Sequence, residues 1–126
     1  MGDDGAVLRM ALLANPAARA GRAADDVHRV VARLRSHGIE PELLTAESPR
    51  SAADAARRCI DDGIDRLLVL GGDGIMHIAA GAVVGTSTVM GVIPAGTGND
   101  FARALGLLGG GLEDRVDAAL ADPVAL

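Results

Sequence analysis

A three-layer α/β fold, in which a doubly wound parallel sheet carries helices on both faces, is what this sequence predicts. Three observations lead there. Short apolar runs alternate with stretches of helical period, strand then helix, four times over. The runs are nearly continuous in apolar residues, as strands buried on both faces of a parallel sheet are. Two of them also run directly into glycine-rich segments that open a helix. With 126 residues, 49% of them hydrophobic, the chain has room and apolar surface for one domain. Phe101 is its only aromatic residue, so the core must be built from Ala, Val, Leu and Ile.

The elements follow in order. Val7 to Ala14 reads as the first strand, and Asn15 to Arg22 as a loop of small residues. Val27, Val30, Val31 and Leu34 recur at helical spacing, with Gly38 placed as the C′ residue. Glu40 to Thr45 is a short second strand. Ser48-Pro49 then supplies an N-cap and a proline at the first helical position. Ala52, Ala55, Ala56, Cys59 and Ile60 form the stripe of that helix, which Gly63 ends. Arg66 to Leu70 is the third strand, running into Gly71-Gly72-Asp73-Gly74. A helix starting directly after those glycines carries its stripe on Ile75, Ile78, Ala79 and Ala82. Val89 to Ile93 is the fourth strand and runs into Pro94 to Asp100. A short helix stops near Gly106, and Leu112, Val116, Ala119 and Leu120 outline a last helix beyond Gly109-Gly110-Gly111. The final residues, Asp122 to Leu126, read as a helix stop at a domain boundary.

Composition excludes several functions. The net charge of −5 leaves no basic face for nucleic acid and is a poor match to anionic lipid headgroups. All twelve basic side chains are Arg, so the lysine of a P-loop NTPase and the strand lysine of a protein kinase are both missing. A single cysteine, Cys59, rules out an internal disulfide and suits the cytoplasm. MGDDGAV lacks the marks of a signal peptide, and no apolar run reaches the roughly 20 residues of a membrane span. Any meeting with lipid is therefore expected at a membrane surface, from the water side.

In open parallel sheets ligands bind at the carboxyl ends of the strands. Asn15–Arg22, Gly71–Gly74 and Pro94–Asp100 leave such ends here. Glycine at a helix start lets backbone N–H groups approach a phosphate, and the helix dipole favours the anion. Neither loop threads the Rossmann G-x-G-x-x-G, and a lone glycine turn is commonplace. Asp73 could be a turn residue, though a carboxylate beside phosphates is better explained by a metal, a water or a ribose hydroxyl. Asn99 and Asp100 could cap a helix. Arg19, Arg22, His28 and His37 read as surface, Cys59 as core, and His77, one turn into its helix, has no partner at metal-ligand spacing.

Taken together, Asn15-Pro16, Gly71-Gly72-Asp73-Gly74 and the run Gly96-Thr97-Gly98-Asn99-Asp100-Phe101-Ala102 resemble the diacylglycerol kinase catalytic family, over about residues 7 to 107. The resemblance implies the N-terminal, nucleotide-binding domain of a lipid kinase, with the fold shared by NAD kinases. It implies that Asn15, Thr45, Gly71, Gly72, Asp73, Gly74, Gly96, Thr97 and Asn99 contact ATP. Asp73 and Asp100 would join a water-linked network around Mg2+. The general base and most of the lipid site would belong to a C-terminal β-sandwich absent from these residues, so no catalytic residue is expected here. A face left open by that absence would favour self-association into a homo-oligomer. Ile75 and His77-Ile78 stand where the family has Thr and Asn-Glu, removing a hydroxyl and a carboxylate. An NAD kinase and a non-catalytic nucleotide-binding module are the rival readings.

Overall fold

The computed structural model describes residues 8–95, 103, 104, 106, 110–121 and 123. Four strands, β1 (Met10–Ala14), β2 (Glu42–Thr45), β3 (Arg66–Gly71) and β4 (Val89–Pro94), form one sheet in the order β2-β1-β3-β4. Every neighbouring pair is parallel. Four helices are described: α1 (Arg22–Ser36), α2 (Pro49–Asp61), α3 (Asp73–Val83) and α4 (Leu112–Ala121).

Side chains leave a strand alternately to its two faces, and the core divides accordingly. Ala11, Leu13, Leu67, Val69, Met90 and Val92 pack with α2 and α3 in one cluster. Met10, Leu12, Ala14, Leu68, Leu70 and Ile93 pack with α1 and α4 in the other. The three-layer, doubly wound prediction is what the structure shows.

Local chemistry sets the element ends. Ser48 caps α2 in a capping box with Ser51, and Pro49 sits in the first turn. Both α1 and α2 end in Schellman motifs. Ile39 N–H bonds Leu34 O at 3.0 Å across Gly38 (φ 77°), and Ile64 N–H bonds Cys59 O at 3.0 Å across Gly63 (φ 88°). Several boundaries differ from the sequence expectation, and β3 and β4 each run one residue further, to Gly71 and Pro94. β1 starts at Met10, because the Arg9 backbone turns to Asp65: its N–H meets Asp65 Oδ2 at 2.7 Å. Val7 lies outside the described residues. β2 starts at Glu42, since Pro41 has no N–H to give and Glu40 is held by Arg35. α3 starts at Asp73, inside the glycine motif, and its fully buried residues are Met76, Ala79 and Val83, with Ile75, Ile78 and Ala82 only half-buried beside them. Ala79 of the expected stripe lies at the centre of the buried face and the other three flank it, while Met76 and Val83 were not anticipated. Of the short helix before Gly106, only Arg103 and Ala104 are described.

Helix α4 is held by both kinds of contact. Val116 and Ala119 are buried, and Gly91 of β4 lets the helix come close: a Cβ there would collide with Leu68 Cδ2 and lie 3.3 Å from Ala119 O. On the outer side, Arg29 grips Glu113 at 3.0 and 2.7 Å, and Arg33 makes a two-pronged pair with Asp117. His37 Nε2 meets Asp117 Oδ1 at 2.8 Å. Hydrogen bonding from Arg33, then from His37, holds the Asp117 carboxyl well below the usual carboxylate range.

Two outcomes follow from this seam. Gly91→Val should destabilise the chain by about 1–3 kcal/mol through overpacking, read from the urea midpoint. A carboxyl depressed on folding stabilises above its unfolded pKa of about 4 and loses that contribution as pH falls toward its folded value. Melting temperature should therefore drop below about pH 4, and Asp117→Asn should flatten that drop.

Candidate functional site

The carboxyl ends of all four strands lie along one edge of the sheet. Ala14 is opposite Thr45 and Leu70, and Gly71 is opposite Pro94. Two bonds extend the ladders past the strands: Ala46 N–H to Ala14 O at 3.0 Å and Ala95 N–H to Gly71 O at 3.1 Å. The chain leaves β1 toward the α1 face and leaves β3 toward the α3 face. Between these neighbouring strands the loops part, which is the topological switch point where open α/β sheets form their ligand crevice.

Asn15 stands on one wall of that crevice. Its Oδ1 accepts from Ala17 N–H at 3.0 Å and its backbone carbonyl accepts from Ala18 N–H at 3.1 Å, so the loop turns sharply at the strand end. Arg19 (φ 58°), Ala20 (φ 57°) and Gly21 (φ 86°) are left-handed in succession, a conformation costing roughly 1–2 kcal/mol for each non-glycine. The Arg19 guanidinium bonds Asp26 at 2.6 Å, and Arg22 is exposed at the start of α1.

The glycine motif forms the other wall, and its glycines are not equivalent. Gly71 has φ 154°, and a Cβ there would fall 2.6 Å from Ile75 Cγ2. The fold itself requires glycine at that position. Gly72 and Gly74 are exposed, and a Cβ at either would meet nothing within 4 Å. Gly72 is the N-cap of α3 with no side-chain cap, and Asp73, half-buried, lies in the first turn.

Two adjoining cavities open at this edge. One, of about 160 Å³, is lined by Ala46, Pro49, Ala52, Gly74, Ile75 and Ile78, together with Asn15, Glu47 and Ser48. The second, of about 310 Å³, is lined by Asn15, Pro16, Ala17, Thr45, Glu47 and Ser51. The structure thus brings Asn15, Thr45 and Gly74 together, with Gly71, Gly72 and Asp73 immediately before Gly74 in the chain. Gly96, Thr97, Asn99 and Asp100 lie outside the described residues. Glu47 and the apolar wall of Ile75 and Ile78 were not anticipated as cavity-lining, although an acidic residue just past a strand end was a signal available in the sequence.

Other candidates settle as expected from their types. Cys59 is buried and burial pushes its thiol up, as for a core residue. His28 and His37 are exposed, and His77 is exposed on α3. Among the described residues no three His, Cys, Asp or Glu side chains are grouped to hold a metal, and no helix is long and apolar enough to cross a membrane.

The family model for the diacylglycerol kinase catalytic domain matches residues 9–124. The chain belongs to that family. A diacylglycerol kinase of Mycobacterium tuberculosis (strain ATCC 25618 / H37Rv) is 34% identical over 99 residues, covering 79% of this chain and 32% of its own length. A probable YegS-like lipid kinase of Xanthomonas campestris pv. campestris (strain 8004) is 31% identical over 86 residues, covering 64% of this chain and 28% of its own. A solved diacylglycerol kinase from Bacillus anthracis str. Sterne superposes with a TM-score of 0.75 at 22% identity, covering 90% of this chain and 42% of that one. This last likeness is one of fold. The chain spans about a third of the length of these curated relatives.

Within this diacylglycerol kinase family domain, the glycines separate by a stability measurement. Gly71→Ala should lower the unfolding free energy by about 1–3 kcal/mol, from its left-handed φ and the collision with Ile75. Gly72→Val, pointing into open space at the N-cap, should cost no more than about 1 kcal/mol. Thermal melts of both variants check this contrast.

Proposed function

We propose that the chain is the nucleotide-binding domain of a lipid kinase, moving the γ-phosphoryl group of ATP to a lipid hydroxyl such as that of diacylglycerol. One observation carries the nucleotide part. Gly72 and Gly74 are glycines at exposed positions where the fold would accept a side chain. Their bareness keeps the first turn of α3 open to a ligand across from Asn15, and a phosphate is what a bare helix start suits. Family membership and the names of the relatives favour a lipid acceptor over a dinucleotide.

The residues take the following roles. The backbone at Gly71–Gly74 receives the phosphates, while Asn15, Thr45, Gly96, Thr97 and Asn99 complete the nucleotide contacts. A Cβ at Gly72 or Gly74 would meet nothing within 4 Å, which leaves the backbone there open to a phosphate, and Asp73 and Asp100 would reach Mg2+ through water. Bound Mg2+ would offset the charge that spreads over the phosphoryl oxygens. The contribution of this chain is positioning and electrostatic stabilisation. A base for the acceptor hydroxyl, and most of the lipid site, are assigned to the remaining two-thirds of a protein as long as its relatives. That protein would meet its lipid at a membrane surface.

Calorimetry with Mg·ATP tests the nucleotide part: the wild-type chain should bind and Gly72→Val should not, with the fold intact in both. Equal binding would remove the glycine motif from the site. Ile75 packs on Gly71 and also lines the smaller cavity. Ile75→Thr should cost about 1 kcal/mol of stability and tighten ATP binding by about tenfold, one charge-assisted hydrogen bond. In a transfer assay the full-length protein should label diacylglycerol and the 126-residue chain should not. Asp73-dependent transfer by the chain alone would place the base within it.

A further inference from the structure

We propose that Glu47 reads the ribose of the nucleotide, its carboxylate accepting hydrogen bonds from the ribose hydroxyls, so that the site prefers ribonucleotides to deoxynucleotides. The inference rests on the crevice being a nucleotide site and adds to it a residue and a selectivity.

Glu47 follows β2 by two residues, on the strand next to β1 and at the ligand-binding edge. In doubly wound dinucleotide-binding sheets an acidic residue past the glycine loop serves the ribose hydroxyls; Glu47 precedes Gly71–Gly74, so the likeness is one of chemistry and not of chain order. The backbone here is fixed on both sides of the residue. Ala46 is buried and its N–H bonds Ala14 O, while Glu47 N–H donates to Ser51 Oγ at 3.1 Å within the α2 capping box. Glu47 lines both cavities, and among the described residues it is the one charged residue that lines either. Among the described residues it makes no ion pair.

A carboxylate in this position repels phosphates. The polyphosphate therefore belongs at the other wall, by Gly72 and Gly74, where backbone N–H groups and the α3 dipole favour an anion. The smaller cavity, with Ala46, Pro49, Ala52 and Ile78, is apolar enough for the flat face of a base. Between an anionic end and an apolar end, the neutral hydroxyl-bearing sugar is the part of a nucleotide that a carboxylate can bind. Carboxylate-to-hydroxyl bonds are charge-assisted, and loss of one is expected to cost about tenfold in affinity.

The test is calorimetry on the 126-residue chain with the Mg2+ complexes of ATP, 2′-deoxy-ATP and 3′-deoxy-ATP, for wild type, Glu47→Ala and Glu47→Gln. Glu47 is exposed, so the variants should keep the wild-type melting temperature. Wild type should bind ATP about tenfold tighter than at least one deoxy analogue. Glu47→Ala should bring that ratio close to one, and Glu47→Gln, which keeps an acceptor oxygen, should leave part of it. Equal wild-type affinity for all three ligands would overturn the inference and leave the nucleotide site standing. So would a uniform gain in affinity for all three in the variants, which is charge removal without ribose contact. If wild type fails to bind ATP at all, the nucleotide reading falls and this inference with it.

Discussion

Parallel pairing of β1 with β2 on one side and β3 on the other is the constraint on which the rest depends. It sends α1 to one face of the sheet and α2 and α3 to the other, because each crossover in such a sheet is right-handed. It gives β1, β3 and β4 two buried faces, which is why their apolar runs are nearly unbroken, while β2 at the edge stays largely exposed. It also brings Asn15, Thr45 and Gly71 to one edge although they are far apart in sequence. The crevice at the switch point needs no special sequence to exist. What the sequence supplies is its lining.

That lining contains little positive charge. With no lysine, the arginines carry all the formal positive charge, and many are already engaged in holding the fold. Arg9 pairs with Glu42, Arg19 with Asp26, Arg29 with Glu113, Arg33 with Asp117 and Arg35 with Glu40. Arg66 and Arg115 donate to the backbone carbonyls of Leu120 and Pro94. On the proposed reading, phosphate affinity in this domain comes mainly from backbone N–H groups. Such groups reach a ligand only where no side chain intervenes, which accounts for exposed glycine at 72 and 74. Exposed surface ion pairs contribute little to stability one at a time. Those between α1 and α4 act instead on where α4 sits, alongside the close approach permitted by Gly91.

The fold was largely legible because its signals are local and repeated: buried runs, helical stripes, glycine at C′ positions and the Ser48-Pro49 start. The errors lie where a residue has two readings. Gly71–Gly74 reads as a loop from composition, but the helix takes Asp73 and Gly74, and its buried face includes Met76 and Val83 beside the expected Ala79. Arg9 is compatible with a strand until Asp65, 56 positions away, captures its N–H. The wall of the site formed by Asn15 and the glycines could be read from motifs. Glu47 offered only its place just past a strand end, since its significance comes from β2 lying beside β1 and from two cavities meeting at it. Which of the four motif glycines the backbone itself requires is likewise a matter of φ angles and neighbours, invisible in a string of letters.

The central claim is that the crevice between β1 and β3 is a nucleotide site. Amide chemical shifts of the isotope-labelled chain, followed as Mg·ATP is added, test it most directly. The largest changes should fall on Asn15, Ala17, Ala18, Thr45 to Glu47 and Gly71 to Ile75, at the carboxyl ends of the strands. Changes centred on the opposite edge, at Arg9, Asp65 and Thr88, or no saturable change at all, would contradict it.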